Sequence, residues 1–120
     1  METFNDKYRN RSKKLAVDII KFYIAQNKTD EIKIIGKQLM RSATSVAANF
    51  RAATRGRSDK EFYAKLCIVI EEADETLFWL ELLLETGLVN PIQIKDLTTE
   101  ITELLSVFAK TRKTINERKK

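Results

Sequence analysis

Four stretches of this chain repeat apolar residues at steps of three and four, a period that suits helices packed against one another. In the first, Phe4, Tyr8, Leu15, Ile19 and Phe22 keep the spacing across a gap at Arg11 and Ser12. The second runs Ile32, Ile35, Leu39, Ala43, Val46, Phe50, Ala53, and the third Phe62, Leu66, Val69, Ala73, Thr76, Leu80, Leu83. Ile94, Leu97, Ile101, Leu104, Phe108 and Ile115 line the fourth. With three glycines and one proline in 120 residues, long irregular loops and an all-β architecture are both disfavoured.

The punctuation between the stretches agrees with the period. Asn27 closes the first helix, and Thr29 or Asp30 caps the second. Gly56 is expected at the C′ position of helix two, where a positive φ is common. Ser58-Asp59-Lys60-Glu61 reads as a capping box, with Ser58 bonding forward and Glu61 reaching back. Gly87 ends helix three, and Asn90-Pro91 opens helix four as N-cap and N1. Short connections favour an all-α, antiparallel up-down-up-down four-helix bundle. It forms one domain over residues 1–120, with a basic tail expected to fray from about residue 113.

Composition removes several chemistries. Histidine is absent, and with it the commonest general base, the Ser-His and Cys-His nucleophile pairs and most zinc sites. The single cysteine, Cys67, has no intrachain partner, so a reducing cytoplasm is the expected location. No apolar run is long enough to cross a bilayer, and the basic N-terminus lacks the apolar core of a signal peptide. No membrane partner and no cofactor are expected.

The net charge of +5 is unevenly spread. Residues 33–60 carry seven basic groups against one acidic, and residues 61–86 reverse this with one against seven. On a helical projection Lys33, Lys37, Arg41, Arg51 and Arg55 fall within about 80° of one another, opposite the apolar seam of helix two. Thr44 and Ala48 form a shallow floor between them, and Arg57 and Lys60 extend the stripe past the turn. Such a stripe is either a solvated face or a surface for phosphates, which arginine grips bidentately. No aromatic residue lies on it, so contact with nucleic acid is expected to be phosphate-based, salt-sensitive and weakly selective for sequence.

A second surface is expected on helix three, where Thr76-Leu-Phe-Trp-Leu-Glu-Leu-Leu-Leu84 is apolar on more than one face. Phe78, Trp79 and Leu82 point partly away from the seam and, flanked by Glu71, Asp74, Glu75, Glu81 and Glu85, suit self-association. Ser42, Ser45 and Asn49 form a strip of small and polar side chains suited to close helix contact at that interface. Acidic helix three of one subunit meeting basic helix two of the next would make a head-to-tail ring and explain the arginines without nucleic acid. Glu72 and Glu75, with Glu100 and Glu103, superficially match the Mg²⁺ sites of all-α nucleotide pyrophosphatases, but no phosphate-binding motif accompanies them. A non-enzymatic binding or adaptor protein is therefore the expected class.

The pattern Arg41-Ser42-x-x-Ser45-x-x-x-Asn49, within a dense stretch from Gln38 to Leu84, resembles a bacterial four-helix-bundle family. Its early members were encoded by intervening sequences in 23S rRNA genes. The similarity extends from about Leu15 to Ile115, and Asn49-Phe50-Arg51-Ala52-Ala53 looks like the branch reading Asn-Tyr-Arg-Ala-Ala. The Glu-Gly pair that follows the Asn in many members is absent here. The resemblance implies a homopentameric ring. The related accessory variability proteins of diversity-generating retroelements form such rings with a basic surface, and bind RNA and a partner reverse transcriptase.

Overall fold

The computed structural model describes residues 1–118, which form four helices: α1 Phe4–Ala25, α2 Asp30–Thr54, α3 Asp59–Glu85 and α4 Pro91–Arg118. Each helix packs on its neighbour in the chain and α4 closes the ring against α1, while α2 and α4 meet across the core through the Phe50 and Phe108 side chains. The expected antiparallel bundle is present. Its long dimension of 48 Å follows from the helices, since α4 with 28 residues is about 42 Å long at 1.5 Å per residue.

The core contains the residues that set the period. Leu39, Phe50, Leu66, Val69, Leu80, Ile101, Leu104 and Phe108 are all fully buried. Near one end, Phe50 of α2 stacks on Phe108 of α4 at 4.9 Å, and Tyr8 and Phe62 meet this pair edge-on. The α2–α3 pair packs most extensively, and the small side chains Ala43, Ala53 and Ala73 are buried there.

Three local expectations need correction. The Ser58 hydroxyl accepts from the Glu61 N–H at 3.2 Å, but the Glu61 carboxylate accepts from the Arg57 N–H, one residue before a reciprocal box would place it. The complete capping box is at α1 instead, between Thr3 and Asp6. Gly56 does stand at C′, after the C-cap Arg55, but without a positive φ; among the described residues only Gly87 has one, at +69°. The α2–α3 turn closes through hydrogen bonds from the Arg55 and Gly56 N–H groups to Ala52 and Ala53, in a space where a Cβ at position 56 would crowd the Ala53 oxygen at 3.1 Å. Finally, α4 runs helical past residue 113 to Arg118, with Ile115 buried and Arg118 3.5 Å from Asp59. Fraying at Lys119 and Lys120 falls outside the described residues.

The gap at Arg11 and Ser12 also has a physical cause. The Ser12 hydroxyl is buried and donates to the Tyr8 carbonyl at 2.8 Å, satisfying itself within α1. Arg11 leans over the Tyr8 ring and crosses to α4, where it binds Glu100 and Glu103. The ion pair takes a position where a seam residue would otherwise stand.

Candidate nucleic-acid interface

Helix α2 presents its basic side beside α1, and the two helices form an open groove of about 620 Å³. Arg51 and Arg55 of α2 line it with Arg9 and Lys13 of α1. Ala16, Thr44, Ala47 and Ala48 make the shallow floor, as the small residues at those positions require. Arg9 is fixed by Asp6 and by a 3.1 Å hydrogen bond to the Thr54 hydroxyl, which ties the start of α1 to the end of α2. Lys13, Arg51 and Arg55 have no ion-pair partner among the described residues, so their charges are uncompensated by direct contact.

The seven basic positions named from the sequence divide into four sets. Arg51 and Arg55 line the groove. Lys33 and Lys37 are exposed further down α2, and Arg57 and Lys60 are exposed past the α2–α3 turn. Arg41 leaves the stripe: its guanidinium lies 3.2 Å from Glu72 and 2.6 Å from Glu75, both on α3. The bond to Arg41 holds the Glu75 carboxyl below the usual glutamate range, with the Trp79 indole N–H adding to the effect. Glu75 in turn raises the pKa of Arg41. Arg41 is thus a clamp between helices, already supplied with anions.

The residues assigned to a subunit interface also separate. Ser42 is fully buried inside one bundle, with its hydroxyl 2.9 Å from that of Thr76, and cannot touch a neighbour. Ser45 and Asn49 bond to each other along α2, the Asn49 amide donating to the Ser45 carbonyl and hydroxyl. Glu75 is engaged within the chain, as is the Trp79 indole that donates to it at 3.2 Å. Phe78, 51% exposed and edge-on to Trp79, remains on the surface with exposed Glu71 and half-buried Leu82. The two carboxylate pairs that superficially matched a metal site are held by different arginines, Glu72 and Glu75 by Arg41, Glu100 and Glu103 by Arg11.

Arg9 and Lys13 are the groove residues that sequence reasoning missed. They stand on the first helix, and nothing in a single helix projection says which neighbour they border. The signal was the basic excess of residues 1–28, seven against three.

Folding the chain up and down sorts charge along the bundle. The half holding the α1 N-terminus, the α2–α3 turn and the end of α4 (residues 1–14, 43–71 and 104–118) has fourteen Lys and Arg against six Asp and Glu. The other half (residues 15–42 and 72–103) has six against eleven. Of the exposed large apolar residues, Val17, Ile20, Ile24, Ile34, Phe78, Leu84 and Ile92 belong to this acidic half, and Met1, Phe4 and Ile68 to the basic one. One end of the molecule is therefore suited to polyanions and the other to apolar contact. No helix among the described residues is long and apolar enough to cross a membrane.

Comparison with known proteins bears on the same architecture. A crystal structure of a protein with unknown function from the S23 ribosomal protein family, from Bacteroides thetaiotaomicron VPI-5482, is similar to this chain with a TM-score of 0.80. The two share 32% identity over 91% of this chain and 97% of that one. Curated protein sequences give no match. The family model for the 23S rRNA-intervening sequence protein matches residues 5–110, which span nearly all of the four helices. This chain belongs to the 23S rRNA-intervening sequence protein family.

Proposed function

We propose that the protein is a non-enzymatic, cytoplasmic RNA-binding bundle that holds the phosphate backbone in the groove between α1 and α2. The observation that carries this reading is the convergence of Arg9, Lys13, Arg51 and Arg55 from two helices on one groove with a floor of small residues. Such a floor lets a backbone approach closely, and cations on both walls can contact successive phosphates. Lys33, Lys37, Arg57 and Lys60 extend the positive field beyond the groove. Reversing two charges, in Lys13→Glu with Arg51→Glu, is expected to abolish binding of a structured RNA while the sedimentation coefficient stays unchanged. Unaltered binding would remove the groove from the account.

A second reading concerns assembly. The exposed apolar residues of the acidic half, with Phe78 and Leu82 beside Glu71, suit contact with a second copy of the chain, and the family resemblance implies a pentameric ring. Phe78→Glu is then expected to yield monomers. If the basic groove instead pairs with acidic helix α3 of a neighbour, Arg51→Glu alone breaks the oligomer. An intact oligomer in that variant favours the RNA reading.

A further inference from the structure

At the basic end, between the starts of α1 and α3 and the last turns of α4, lies an open cleft of about 480 Å³ that the phosphate groove does not include. Its lining is mixed in a specific way. Phe4, 44% exposed, and half-buried Phe62 provide aromatic surface, with buried Ile115 beside them. Lys110 and Arg118 also line it, as does the single carboxylate of Asp59. The Asn5 amide lines the cleft and makes no hydrogen bond among the described residues, and Lys110 makes no ion pair there. Arg118 is tied only through an exposed contact to Asp59.

We infer that this cleft receives an unstacked nucleobase of a single-stranded RNA segment whose phosphates lie in the α1–α2 groove. For its ligand class the inference rests on the polyanion reading above. Three features favour a base over a purely ionic ligand. The Phe4 ring leans on Tyr8 at 4.7 Å, so an aromatic side chain that keeps 44% of its surface in solvent is braced from behind. Phe62 is braced likewise by its edge contact with Phe50. The unpaired amide of Asn5 can both donate to and accept from the polar edge of a base, while Lys110 and Arg118 offer charge for the flanking phosphate. Asn5 lies one helical turn from Arg9, about 6 Å along α1, so one strand can reach cleft and groove together. The aromatics are on the bundle end, off the basic stripe of α2, and selectivity for bases arises there although the groove itself reads only phosphate.

The test compares a decamer of oligoadenylate with an abasic phosphodiester of the same length, using the full chain. The wild-type protein is expected to bind the oligoadenylate about tenfold more tightly, the scale of one base stacked on an aromatic side chain. Phe4→Ala should bring the ratio close to one with little change in abasic affinity, and Phe4→Leu, which keeps the packing on Tyr8 but not the aromatic face, should do the same. Arg51→Ala with Arg55→Ala should weaken both probes alike and preserve the ratio. Equal wild-type affinities, or a Phe4→Ala loss of the same size on both probes, would overturn the cleft assignment. If the ratio depends on Phe4 while the double arginine variant binds as wild type, the groove fails and the cleft stands. Absence of binding to either probe overturns the cleft assignment, and the groove is then judged on structured RNA alone.

Discussion

Arg41 of α2 reaches Glu75 of α3, with Nη2 2.6 Å from the carboxylate oxygen that also accepts the Trp79 indole N–H. Because the pair is partly exposed, solvent screening limits its worth, and Arg41→Ala is expected to cost no more than about 1 kcal/mol of stability. RNA affinity should change far less in this variant than in Arg51→Ala. Denaturant melts and a binding titration of the two variants check both statements.

The same clamp predicts a pH dependence. Glu75 is held below its ordinary range in the folded chain, so its contribution is complete above about pH 4.5 and is lost as the pH falls through the folded value. Glu75→Gln should therefore show a shallower loss of stability on acidification than wild type. Melting temperatures between pH 3 and pH 7 measure the difference, and parallel curves would remove the clamp from the acid response.

Gly36 is buried where α2 passes the Tyr23 ring of α1, and a Cβ there would overlap the ring. Gly36→Ala must displace the Tyr23 ring and is expected to destabilise by about 1–3 kcal/mol, the range for overpacking. Adding Tyr23→Ala to that variant should recover part of the loss. Urea melts of the single and double variants read the coupling.

Ser42 and Thr76 place two hydroxyls in the buried α2–α3 contact, each anchored by a bond to its own helix, to the Leu39 and Glu72 carbonyls. Ser42→Ala is expected to cost about 1 kcal/mol. Ser42→Ala combined with Thr76→Val should cost less than the sum of the two, because no lone hydroxyl is left facing the other. Additive losses in denaturant melts would show that the hydroxyls act independently.

Helix number, seam residues and the Asn90-Pro91 start of α4 were legible from the sequence, because period and end signals are local properties of the chain. Relations between helices were not. Arg41 lies on the same projected stripe as Arg51, yet only the packed position of α3 brings Glu72 and Glu75 within its reach. Ser42 and Ser45 share a strip on α2, but a small rotation around the helix separates a fully buried hydroxyl from a half-buried one. Arg9 and Lys13 joined the groove through the α1–α2 pairing, which no single-helix projection contains.

The claim that the α1–α2 groove grips a phosphate backbone is tested most directly by the salt dependence of RNA affinity, measured for the wild-type protein and for Arg51→Ala with Arg55→Ala. Each arginine that contacts a phosphate contributes about one unit to the slope of log affinity against log salt, so the double variant should bind more weakly with a slope lower by about two. Equal affinity and an equal slope in the two proteins would contradict the account.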